Sequence, residues 1–132
     1  MKKGTDFILS SIILFGYDIN RLQSFYTEHF KFKVVSAIQD VWVVLRADNT
    51  EIAFHKIGSD YAPKEGEDFK VESNVKLVFQ TQEDLYLIRE RMVNSGIKMK
   101  KIKSFEGMNS LFCDGEDPEG NVFQIEQVLT TI

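Results

Sequence analysis

The groups in this chain that could do chemistry are few, and they sit on alternating stretches. Glu51, Ala53 and His55 are spaced two apart, so a strand would send all three to one face. His55 can then act as a general base or a displaced metal ligand. The plainer reading is a partly buried histidine bonded to a neighbour. Lys76 lies between Val75 and Leu77, a setting that buries an ammonium unless it snorkels. It needs a partner, and Glu51, Glu126 or an anionic ligand would each serve. Gln124 and Glu126 alternate with Phe123 and Ile125, which gives one strand a polar face and an apolar one. Gln124 bonds either a ligand or a residue across the sheet. Trp42 stacks on a planar ligand or packs in a core. His29 reads as a surface or helix-end residue. Cys113 has no activating histidine nearby in sequence and reads as a structural thiol. Gly107 and Gly115 read as turn residues.

The elements that must position these groups fall into two similar halves. Phe7 to Phe15 is a β-rich apolar run. Asp18 then offers a side-chain oxygen to cap a helix whose buried face is Leu22, Phe25, Tyr26 and Phe30. Lys33 to Ala37, Val41 to Ala47 and Glu51 to Ile57 read as three strands, with Asp48-Asn49 turning between the last two. Gly58 to Ser73 is acidic and poor in apolar residues, and reads as a solvated linker or flap. The second half starts with a strand from Val75 to Gln80. Thr81 is expected to cap a helix with Glu83 and Asp84 in its first turn. Leu85, Ile88 and Met92 form its stripe, and Asn94-Ser95-Gly96 stops it. Ile97 to Ser104, Asn109 to Cys113 and Val122 to Leu129 read as the remaining strands. Asp117-Pro118-Glu119-Gly120-Asn121 reads as the tight turn that feeds the last one.

This order predicts an α+β fold of two βαβββ modules that form a cup-shaped mixed sheet with helices outside. We expect one domain over residues 1–132, with a first module at 7–57, a linker at 58–73 and a second module at 74–132. Eleven Phe against one Trp predict a Phe-rich core. Net charge is −4, and the only basic cluster is Lys98, Lys100, Lys101 and Lys103. No aromatic residues interleave with it, so a solvated strand face is expected and nucleic acid is not. No run is apolar and long enough for a membrane helix, and the N-terminal run reads as strand rather than signal peptide. A single cysteine fits a reducing, cytoplasmic location.

Three stretches in this order resemble the vicinal-oxygen-chelate superfamily, which includes glyoxalase I, bleomycin- and fosfomycin-resistance proteins and extradiol dioxygenases. They are Asp18 to Tyr26, an Asp-capped helix that reaches Phe-Tyr; Leu85 to Gly96; and Asp117 to Asn121 with the strand after it. The resemblance covers nearly the whole chain. It implies a homodimer, and it implies ligand positions on the first and last strand of each module. Those positions fall on Ser11, Ala53, Lys76 and Gln124 in this sequence.

Divalent ions need carboxylate or imidazole donors, and Lys76 would set an ammonium beside the cation. At about 4 Å two unit charges repel by roughly 4 kcal/mol at an effective dielectric of 20. We therefore expect no metal and no cofactor, and a protein that holds a small organic, partly anionic ligand in the cup. Leu9, Ile13, Trp42 and Val78 would floor the site. Ser11, Trp42, His55, Lys76, Gln124 and Glu126 are the expected ligand contacts. Two other readings stay open. One is a metal-dependent lyase or dioxygenase with an atypical ligand set using His55 with Glu126 or Glu51. The other is a structural or regulatory dimer with a filled cup.

Overall fold

The computed structural model describes residues 9–70 and 75–129. They form two compact units that divide between Glu67 and Asp68. Each unit is one βαβββ module, so the fold is α+β as the sequence predicts.

The first unit contains β1 (Ser11–Gly16), α1 (Ile19–Phe30), β2 (Lys33–Ile38), β3 (Trp42–Ala47) and β4 (Thr50–Lys56). The expected start of β1 at Phe7 and Ile8 lies outside the described residues. Asp18 caps α1 as predicted, its carboxylate accepting from the Arg21 N–H at 3.1 Å. Leu22, Phe25 and Tyr26 form the buried stripe, while Phe30 is only partly covered. The helix ends in a left-handed Lys31. The sheet order is β1-β4-β3-β2, with β1 and β4 parallel and the rest antiparallel. Helix α1 lies on β3 and β4. Tyr26 is fully buried there and stacks on Phe54 at 5.3 Å. Leu45 and Ile52 share that face, so the core there mixes aromatic and aliphatic residues, where composition predicts one rich in Phe. The linker holds one short 3₁₀ turn, Ser59–Tyr61.

The second unit contains β5 (Lys76–Thr81), α2 (Leu85–Asn94), β6 (Lys103–Ser104), β7 (Ser110–Glu116) and β8 (Val122–Val128). Its sheet order is β5-β8-β7-β6, again with one parallel pair, β5 with β8. Leu85, Ile88 and Met92 are the buried stripe of α2, and Gly96 takes a positive φ just beyond it.

Three expectations are corrected. The cap of α2 is Asp84, which accepts from the N–H groups of Tyr86 and Leu87. Thr81 is still the last residue of β5, and its hydroxyl accepts only from Glu83 N–H. The strand expected over 97–104 shrinks to Lys103–Ser104, with Met99 bridging Gly115 alone. Lys98, Lys100, Lys101 and Lys103 are all exposed, and the Lys100 carbonyl is taken by Arg89 and Cys113 side chains rather than by a continuing ladder. Gly115 lies inside β7 and is not a turn residue.

Candidate functional site

In each unit the helix covers one sheet face, and register defines the other. On the first sheet the open face falls into rows that cross the strands. Ile38, Trp42, His55 and Phe15 stand in one row. Ser36, Val44, Ala53 and Ile13 form the next. Lys33, Arg46, Glu51 and Ser11 form the third. The same alternation that buries Val43, Leu45, Ile52 and Phe54 under α1 turns these rows away from it.

The first row is aromatic and open. The His55 ring meets Trp42 edge-on at 5.7 Å and Phe15 edge-on at 5.9 Å. Phe15 is 63% exposed and Ile38 60%. In the third row Arg46 donates to Glu51 at 3.0 Å. Of the residues expected to contact a ligand, Ser11, Trp42 and His55 thus share this face. Ser11 faces Glu51 in register, and Ala53 is fully buried between them and the aromatic row.

The open face of the second sheet carries a set of polar, mutually bonded side chains beside Val78, Phe112 and Val122. Lys76, Gln124 and Glu126 share it, as alternation predicts. The Lys76 ammonium donates to Asp114 Oδ2 at 2.9 Å, and Gln124 Nε2 donates to Asp114 Oδ1 at 3.0 Å. Beside them Glu126 accepts from the Ser110 hydroxyl at 2.7 Å and from Gln80 at 3.1 Å. The partner of Lys76 is therefore Asp114, a residue the sequence reading passed over, and neither Glu51 nor Glu126. Cys113 points to the opposite face, buried, with its thiol donating to the Lys100 carbonyl at 3.2 Å. Burial raises its pKa, which suits a structural thiol.

Burial alone would raise the pKa of Asp114. The bonds from Lys76 and Gln124, with the charges of Lys76 and Lys103, outweigh it and hold the carboxyl below its ordinary value. Because the folded pKa is the lower one, the stabilisation is present at neutral pH. It is lost as pH falls below about 4 and through the folded pKa. Asp114→Asn is expected to cost about 1 kcal/mol at neutral pH and to flatten the fall in stability between about pH 5 and 2. Urea unfolding across a pH series reads both; parallel curves for the two proteins would refute the assignment.

A doubled βαβββ order with a helix on one face of each sheet defines a class of small α+β protein. The chain belongs to the glyoxalase/bleomycin resistance protein/dioxygenase superfamily, whose model matches residues 8–125. Its fold is similar to that of lactoylglutathione lyase from Agrobacterium tumefaciens. That pair shares 13% identity at a TM-score of 0.72, covering 94% of this chain and 95% of the other. It is also similar to the fosfomycin resistance protein FosX from Listeria monocytogenes, at 17% identity and TM-score 0.70, with coverage of 100% and 97%. An integron cassette protein from V. Pseudocholerae shares 22% identity at TM-score 0.67, with coverage of 96% and 95%. No curated protein sequence matches the chain. At these identities the likeness carries the fold and not the activity.

Resemblance to the metal-dependent members of the superfamily would imply a divalent metal, and the donors here do not fit one. Among the described residues no three His, Cys, Asp or Glu side chains cluster as a metal site. The positions implied by resemblance hold Ser11, Ala53, Lys76 and Gln124. Two of them, Lys76 and Gln124, are already bonded to Asp114. An ammonium bonded to the Asp114 carboxylate leaves it a poor site for a cation.

Proposed function

We propose that this protein is a metal-independent binder of a small, partly apolar organic molecule, working by sequestration rather than by a metal-centred reaction. The observation that carries the reading is the aromatic row on the first sheet. Trp42, His55 and Phe15 lie side by side there, and Phe15 and Ile38 stay largely exposed. Ordinary core packing would cover such side chains, and flat aromatic surface beside a few polar groups suits ligand stacking. Ser11, Trp42 and His55 are the proposed contacts on this face. On the second sheet Lys76, Gln124 and Glu126 are the proposed polar contacts. Their mutual bonds with Asp114, Ser110 and Gln80 fix where those groups point. A homodimer is part of the same proposal and rests on the resemblance to small members of the superfamily.

Anilinonaphthalene sulfonate is a suitable probe, being flat, apolar and anionic. It is expected to bind the folded protein saturably, at one site per chain, with quenching of Trp42, the chain's single tryptophan. Trp42→Ala is expected to weaken binding about tenfold, the equivalent of 1.4 kcal/mol. Metal analysis of protein purified without chelators is the decisive control. Stoichiometric zinc, nickel, manganese or iron would overturn the reading in favour of a lyase or dioxygenase with an atypical ligand set.

A further inference from the structure

The open face of the first sheet changes character along its strands, and the change has a direction. Its first row presents the rings of Trp42, His55 and Phe15. Its middle row is mostly aliphatic, with the small Ala53 between Val44 and Ile13 and Ser36 at the β2 end. Its third row carries Lys33, Arg46, Glu51 and the Ser11 hydroxyl. That end has two cations against one carboxylate, so it is net positive in a chain whose net charge is −4. His55 and Glu51 are four residues apart on one strand, which sets the two ends about 13 Å apart.

We infer that this face selects an elongated aromatic carboxylate, its ring on the Trp42 row and its anionic group at Arg46 and Lys33. The inference rests on the proposed binding role and names the ligand's chemical class. Charge complementarity supplies the orientation. The Arg46 side chain is 55% exposed, and its bond to Glu51 uses one of the five guanidinium N–H donors. The remaining donors present the planar fork that carboxylates accept in pairs. Lys33 stands beside it in register and is exposed. The anionic end thereby moves from Lys76, where the sequence placed it, to a different strand and module. Lys76 already answers to Asp114, whereas the charge at Arg46 and Lys33 is only half cancelled. Val44 stands between Trp42 and Arg46 on β3, with the small, buried Ala53 beside it on β4, so the path from ring to carboxylate crosses apolar surface.

Calorimetry with ω-phenylpentanoate and its neutral primary amide tests the inference on the whole chain. The two probes share a ring and a reach, and differ in charge. The acid is expected to bind roughly fivefold more tightly than the amide at low salt, with the preference shrinking as salt rises. Lys33→Gln and Arg46→Gln are each expected to reduce that preference. Glu51→Gln removes the carboxylate that competes for Arg46, and is expected to tighten acid binding about threefold. Trp42→Ala is expected to weaken both probes. Equal binding of acid and amide, both lost in Trp42→Ala, would overturn the anionic end and leave the binding role standing. Binding of neither probe, with anilinonaphthalene sulfonate also unbound, would overturn the binding role itself. Acid binding that Glu51→Gln weakens would refute the orientation.

Discussion

Replacing Asp117 with Ala is expected to cost about 3 kcal/mol, a large loss for a single polar side chain. Asp117 is 5% exposed, and its two oxygens accept from at least three donors. Oδ1 accepts from the N–H groups of Glu119 and Asn121, both at 2.9 Å, and Oδ2 accepts from Asn121 Nδ2 at 2.8 Å. Backbone bonds close the same loop, from Asp117 N–H to the Asn121 carbonyl and from Gly120 N–H to the Asp117 carbonyl. Gly120 has φ +85°, which only glycine adopts without strain. Truncation would leave three donors in a buried turn without their acceptor, at about 1 kcal/mol or more each. Asp117→Asn keeps one acceptor oxygen and is expected to cost less than half as much. Urea midpoints for the two variants provide the measurement. A loss below about 1 kcal/mol for the alanine variant would mean that water replaces the carboxylate.

The turn also bears on the candidate site. β8 begins at Val122, directly after it, and pairs with Lys76 at that residue. A loosened turn would let β8 slip, and a slip of one residue would carry Gln124 and Glu126 to the helix side.

Local signals made most of the fold legible in the sequence. α1 was readable because its cap and stripe lie within one short window, and nothing distant competes with them; its end at the left-handed Lys31 carried no such signal. β8 was readable because strict alternation of Phe123 and Ile125 against Gln124 and Glu126 admits one register. The misreadings share a physical cause, namely partners distant in sequence. Thr81 resembled a cap because it precedes two acids, yet pairing with Gln127 keeps it in β5. Gln127 also accepts from Leu85 N–H at 2.9 Å, so the sheet helps to cap the helix. Asp114 was missed because Asp114-Gly115-Glu116 has the composition of a turn. Extending β7 through Glu116 would have set Asp114 on the same face as Phe112 and opposite Cys113. The expected partners of Lys76 failed for a related reason. Glu51 is taken by Arg46, and Glu126 by Ser110 and Gln80, all through cross-strand neighbours that only register reveals.

Gly115 shows that reading in reverse, and its replacement is the second large effect. It has no left-handed backbone to explain it, since it is not among the positive-φ glycines. What it supplies is space. A Cβ at this position would stand 2.5 Å from Met99 Sδ and 2.6 Å from Phe123 Cζ. The methionine can swing away, but Phe123 is fully buried and cannot. Gly115→Ala is expected to cost about 1–3 kcal/mol, and Gly115→Val to sit at or above the upper end. The strain has a direction as well as a size. Gly115 faces Phe123 in register, and its neighbour Asp114 faces Gln124 on the other side of the same two strands. Pushing β7 from β8 therefore stretches the bonds that hold Asp114 to Gln124 and Lys76. Gly115→Ala is accordingly expected to weaken the acid-dependent stability assigned to Asp114, beyond lowering the melting temperature by several degrees. Gly115→Ala combined with Asp114→Asn should then cost less than the sum of the two changes, because both act on one set of bonds. Strict additivity in that double-mutant cycle would show that the glycine serves packing alone and leaves the polar line of the second sheet unmoved.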